Sequence, residues 1–170
     1  MASRRCDVSL ASSMKTAKGG CACDQVRYEA ELPALFVHCC HCTRCQRQSG
    51  AAFALNAMIE ANRVRLTSGE IEVIDTPSES GKGQKVCRCP TCKTAVWSIY
   101  AGPGPKFLFL RVGAMDQPDL LPPDIHIFTD SKQPWIQLPE GAPSVEQFYD
   151  RKAYWPAVSL ERMQQAIASE

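Results

Sequence analysis

The cysteines are the strongest constraint on what this chain can become, because most of them fall in short groups: Cys21 and Cys23; Cys40, Cys42 and Cys45; and Cys87, Cys89 and Cys92. Cys6 and Cys39 stand apart. A Cys-x-x-Cys step lets a tight turn aim two sulfurs at one ion at about 2.3 Å, and Pro90 sits where such a turn begins. Alternate residues of a strand share a face, so Cys21 and Cys23 can act together in the same way. The stretch from Met1 to Lys18 lacks the apolar segment of a secretory signal, and is read as a disordered tail. The thiols are therefore expected in a reducing compartment, the cytoplasm, where clustered cysteines hold metal more readily than they form disulfides. A redox role for Cys42 with Cys45, or for Cys89 with Cys92, needs a βαβ setting that the pattern does not offer.

Ligand counting divides the groups. A closed structural zinc takes four ligands, and Cys21, Cys23, Cys89 and Cys92 supply them from opposite ends of the strand-rich region. Cys40, Cys42 and Cys45 remain as a local trio with one position open, giving two zinc ions per chain. A zinc ribbon joining Cys42 and Cys45 to Cys89 and Cys92 is the competing arrangement, although its pairs lie further apart than the usual ~15–20 residues. The repeated Cys-x-Cys-x-x-Cys spacing leaves Cys87 and Cys39 available as substitutes for a neighbour.

Between the cysteines the chain reads as mainly β. Val26, Tyr28, Ala30 and Leu32 alternate with polar residues up to Pro33, as in a half-buried strand. Strand-like runs follow over Phe53–Ile59, Arg63–Leu66, Ile71–Ile74, Thr94–Tyr100, Phe107–Val112 and Ile125–Phe128. Ser78–Gly83 and the Gly102-Pro103-Gly104-Pro105 run read as connections, the second as a hairpin turn. Leu160, Met163, Ala166 and Ile167 have helical spacing, with Ser159 as the expected N-cap of a short C-terminal helix. The expected organisation is a tail over residues 1–17, one zinc-binding domain over 18–150, and an extension over 151–170 carrying the helix. Nineteen basic and eighteen acidic residues give a net charge of +1, which disfavours a nucleic-acid partner held by counterion release. No apolar run approaches the ~18 residues of a membrane span.

Several segments resemble the glutathione-dependent formaldehyde-activating enzyme (GFA) family, which includes centromere protein V. They are Gly19-Gly20-Cys21-Ala22-Cys23 with Val26-Arg27-Tyr28, the stretch Cys40-His41-Cys42-Thr43-Arg44-Cys45-Gln46-Arg47-Gln48-Ser49-Gly50, Cys89-Pro90-Thr91-Cys92, and His126-Ile127-Phe128 with Pro134-Trp135. The resemblance implies a β-tent fold, a structural zinc on Cys21, Cys23, Cys89 and Cys92, and a catalytic zinc on Cys40, Cys42 and Cys45. It also implies a carbon–sulfur lyase reaction that joins glutathione to formaldehyde. Asp24 and Lys93 depart from the family's usual glycines, and Arg88 from a common aromatic.

Three thiolates on Zn²⁺ leave a formal charge of −1, which weakens activation of water and suits a soft sulfur ligand such as a substrate thiol. The expected partners are therefore a glutathione-like thiol and a small carbonyl. Arg44, Arg47 and Gln48 are candidates to receive the carboxylates of that thiol, against the plainer reading of a solvated polar face. His41 should point away from its cysteine neighbours by strand alternation, and His126 reads as a core histidine. Trp135 reads as a packing residue. The competing function is a zinc-stabilised module that binds protein or chromatin without catalysis; neither a long basic extension nor a Pro-rich one supports it.

Overall fold

The computed structural model describes residues 15–169. The expected tail lies outside the described residues up to Met14, together with Cys6, whereas Thr16 and Ala17 already belong to the first strand.

Two sheets carry the chain. The smaller pairs β1 (Thr16–Gly20), β2 (Arg27–Glu31) and β5 (Val64–Ser68) antiparallel, in that spatial order. The larger has seven strands: β3 (Phe36–Cys40), β4 (Ala54–Glu60), β6 (Glu72–Thr76), β7 (Gln84–Arg88), β8 (Ala95–Tyr100), β9 (Phe107–Arg111) and β10 (Ile125–Ile127). Their order across the sheet is β10-β3-β4-β9-β8-β7-β6. All neighbours in the larger sheet are antiparallel except β10 and β3, which run parallel with His126 beside Cys39. The mainly β fold with a C-terminal helix is the one anticipated, and Gly102–Pro105 does connect the β8–β9 hairpin.

The larger sheet buries its centre on both faces, so β3 reads Phe-Val-His-Cys-Cys with no polar alternation at all. One apolar cluster gathers Val26, Tyr28, Val37, Ile59, Trp97 and Leu110 between the sheets; a second packs Phe36, Met58, Phe107, Ile125, Trp155 and Met163 under the C-terminal segment. The α-helices among the described residues are α1 (Thr43–Ser49), α2 (Arg151–Tyr154) and α3 (Ala157–Ala168). The N-cap of α3 is Pro156, whose φ of −56° suits a helix start, and Ser159 lies buried inside the helix rather than capping it. The expected Ser159 cap is thus corrected. Trp135 is corrected as well: it is 69% exposed and does not pack into the core.

Candidate metal centres

Cys21 and Cys23 leave the end of β1, while Cys89 and Cys92 occupy the β7–β8 turn, and the four sulfurs lie within 4.8 Å of one another. Two of the separations are 3.4 Å (Cys21–Cys23) and 3.8 Å (Cys23–Cys89). The approach depends on Gly19 and Gly20, where a Cβ would stand 2.5 Å from the Tyr28 hydroxyl and 2.3 Å from the Val26 carbonyl, respectively. The two turns have matching construction: Asp24 N–H donates to the Cys21 carbonyl at 3.2 Å, and Lys93 N–H to that of Cys89 at 3.1 Å. Backbone N–H groups also reach the sulfurs, Val26 to Cys21 at 3.3 Å and Thr91 to Cys89 at 3.4 Å. The Thr94 hydroxyl lies 3.2 Å from Cys92 Sγ, and its hydrogen bond pulls that thiol down to about 5. Such donors stabilise thiolates, the form that binds metal.

The second group is local. Cys40 ends β3, Cys42 caps α1 by accepting the Cys45 N–H at 3.4 Å, and Cys45 sits in the first turn of α1. All three are buried with sulfurs within 4.8 Å of one another. Hydrogen bonds from the Cys40 and Cys45 thiols, helped by backbone N–H groups of Cys45 and Arg44, draw Cys42 down to about 2, while the same contact pushes Cys40 far up. For Cys45 a hydrogen bond with Cys40 is outweighed by its contact with Cys42 and by burial, which push it up to about 11; the Arg111 guanidinium acts through space in the opposite direction, as the smallest of these influences. Its own partners are neutral: Asn56 Oδ1, Gln48 Oε1 at 3.1 Å and Ser98 Oγ at 3.0 Å.

A third group lies on the opposite side of β3. Cys39 Sγ is 3.5 Å from His41 Nε2, which is 3.0 Å from His126 Nδ1. Burial depresses both imidazoles, His41 to about 4, so each is neutral near pH 7. The alternation that turns His41 away from the trio is thus present, and it turns His41 toward another set of ligand atoms. His126 is buried as anticipated, but it meets His41 rather than an inert core.

Residues 16–131 match the profile of the glutathione-dependent formaldehyde-activating enzymes. The chain belongs to this family. Among curated proteins no significant match is found. A crystal structure of a Rhodobacter sphaeroides protein aligns over 58% of this chain and 87% of that one, at 22% identity and a TM-score of 0.46.

In this formaldehyde-activating family member, Arg44, Arg47 and Gln48 have separate fates. Arg44 Nε faces Glu79 at 3.5 Å, Arg47 is exposed on α1, and only Gln48 lines a cleft of about 440 Å³ with Phe53, Arg88, Lys93 and Arg111. Ala54 also lines the cleft and pairs with Cys40 across the β3–β4 ladder, which sets the cleft beside the trio. Cys87 is buried opposite Trp97 and joins none of the three ligand groups. Sequence reasoning missed Arg111, whose only signal is a single charge closing the apolar run Phe-Leu-Phe-Leu. It also missed the part played by Gln46. That amide donates to the His41 carbonyl at 2.6 Å and the Ser131 carbonyl at 2.9 Å, and accepts from Gln133 at 2.7 Å, pinning α1 to the segment after β10.

Proposed function

We propose that this protein joins a glutathione-like thiol to formaldehyde, and releases it again, at a zinc site formed by Cys40, Cys42 and Cys45. The observation that carries the reading is the trio itself: three buried sulfurs converge with no fourth Cys, His, Asp or Glu in their group among the described residues. That donor set fits zinc with an exchangeable position, whereas Cys21, Cys23, Cys89 and Cys92 fit a closed structural zinc. When bound at the trio, zinc supplies a means of keeping an incoming thiol deprotonated at neutral pH.

The chain's own residues do the rest. Arg111, with neutral hydrogen-bond partners, offsets the formal −1 charge that three thiolates and Zn²⁺ leave, and keeps a fourth anionic sulfur, that of the substrate, tolerable. Arg88 and Arg111 bring positive charge to the adjoining cleft, where Lys93 is already paired with Glu72 at 2.8 Å, and this suits the two carboxylates of glutathione better than Arg44 or Arg47 does. The thiol gives up its proton to solvent, the thiolate sulfur adds to the carbonyl carbon as the carbon–oxygen π bond breaks, and the oxygen takes a proton back from solvent; the reverse step restores thiol and aldehyde. Among the described residues no helix is long and apolar enough to cross a membrane, and the free thiols suit a reducing compartment such as the cytoplasm.

Exchange between formaldehyde, glutathione and S-hydroxymethylglutathione, followed by NMR, tests the proposal. Wild type with two zinc ions should accelerate exchange; Cys42→Ala should keep one zinc and fall to the spontaneous rate. Arg111→Met should raise the glutathione concentration needed by about tenfold, equivalent to about 1.4 kcal/mol. No acceleration by two-zinc wild type would overturn the reaction and leave the fold untouched.

A further inference from the structure

We propose that Cys39, His41 and His126 form a third metal site, distinct from both zinc groups, that takes a monovalent thiophilic cation, copper(I). The site comes from topology. Parallel pairing of β10 with β3 sets His126 directly beside Cys39, and strand alternation projects His41 from the same face, two residues further on. One sulfur and two ring nitrogens then lie within 4.8 Å of one another, each on or next to a strand at the interior of the protein.

Charge selects the ion. Cys39, His41 and His126 are 1%, 0% and 7% exposed, so a net charge there is strongly penalised. One thiolate, two neutral imidazoles and Cu⁺ sum to zero. Zn²⁺ with the same donors leaves +1 and asks for a fourth ligand, which no Cys, His, Asp or Glu in this group provides among the described residues. Thiolate and imidazole donors in a three-coordinate setting suit copper(I). Loading is a proton-for-metal exchange without redox change. The Cys39 S–H bond breaks, its proton leaves to buffer and a Cu–S bond forms. The proton now shared between His41 Nε2 and His126 Nδ1 moves to the outer nitrogen of its own ring, freeing both inner lone pairs. The inner nitrogens, 3.0 Å apart, must separate by several tenths of an ångström to admit metal–nitrogen bonds of about 2 Å.

The test uses the zinc-loaded full chain under anaerobic conditions, with copper(I) buffered by bicinchoninate and both metals counted after desalting. Wild type should retain one copper per chain with its zinc unchanged. Cys39→Ser and His126→Gln should each weaken copper retention at least tenfold while keeping both zinc ions, which also reports that they fold. X-ray absorption of the copper-loaded wild type should show one sulfur and two nitrogens around the metal. The proposal is overturned if zinc-replete wild type retains no copper, if copper enters only by expelling an equal amount of zinc, or if the copper shell is sulfur alone. The absorption result decides the matter even where a variant loses its fold.

Discussion

Lys93 holds a φ of 61° and Asp24 a φ of 59°, in the left-handed region that glycine enters without penalty. These are the two positions after the Cys21/Cys23 and Cys89/Cys92 pairs where the family usually has glycine, so the departure visible in the sequence has a backbone cost in the fold. A Cβ in that region costs about 1 kcal/mol or more. The compensation at Lys93 is an ion pair to Glu72 at 2.8 Å, but the two side chains are 59% and 39% exposed and such pairs contribute little. Lys93→Gly should therefore stabilise the zinc-loaded protein by about 1 kcal/mol, raising Tm by roughly 2–4 °C. Lys93→Ala, which keeps the Cβ, should not; calorimetry of the three proteins checks this, and an equal gain in both would implicate the side chain instead. Asp24→Gly should gain less, because Asp tolerates the left-handed region. Ligand spacing was readable along the chain because each pair is local. The Cys39–His41–His126 group was not, because His126 lies 85 residues from His41 and meets it only through the β3–β10 register.

At the level of elements, legibility followed alternation and length. β2 was apparent because its buried and half-buried positions alternate, and the β8–β9 hairpin because Gly and Pro punctuate two apolar runs. β3 gives no strand signal because all five of its residues are buried, so no alternation marks it, and Cys40 at its end reads as a metal ligand. β1 carries two glycines in five residues, a weak strand signal, and it forms because those glycines admit the Tyr28 hydroxyl and the Val26 carbonyl. α1 is a single seven-residue polar segment with no apolar stripe to announce it. For α3 the apolar spacing was readable, but its anchor was not: Arg162 makes a two-point contact with Glu60 on β4, Nε to Oε1 at 2.9 Å and Nη2 to Oε2 at 2.7 Å. With side chains only 18% and 9% exposed, the pair is largely desolvated. Arg162→Met should leave the Glu60 carboxylate buried without its partner and cost about 3 kcal/mol in urea unfolding. Adding Glu60→Met should restore most of that loss. If the double variant is no more stable than the single, packing of α3 rather than the ion pair sets the cost.

Across the whole molecule, the two sulfur groups have different mechanical consequences even though both suit zinc. Cys40, Cys42 and Cys45 span only the β3–α1 junction, so an ion there constrains a few residues that the surrounding sheet already holds. Cys21 and Cys23 extend from the smaller sheet, and Cys89 and Cys92 from the larger, with Cys23 and Cys89 separated by 66 residues of chain. Fastening those ends in the folded state closes a long loop. By analogy with a covalent cross-link of that span, it contributes on the order of 4 kcal/mol through the unfolded chain alone. At roughly 2–4 °C per kcal/mol for a chain of this size, Cys89→Ser should lower Tm by about 10 °C and remove one zinc. Cys45→Ser should also remove one zinc yet shift Tm by only a few degrees, while abolishing the exchange reaction. Progressive chelation of wild type should separate the same two effects: catalytic acceleration is lost with the first zinc withdrawn from the site with an exchangeable position, and cooperative unfolding moves down only with the second. Equal Tm losses for the two variants would mean that the trio also carries structural load and that the division of labour between the sites is wrong.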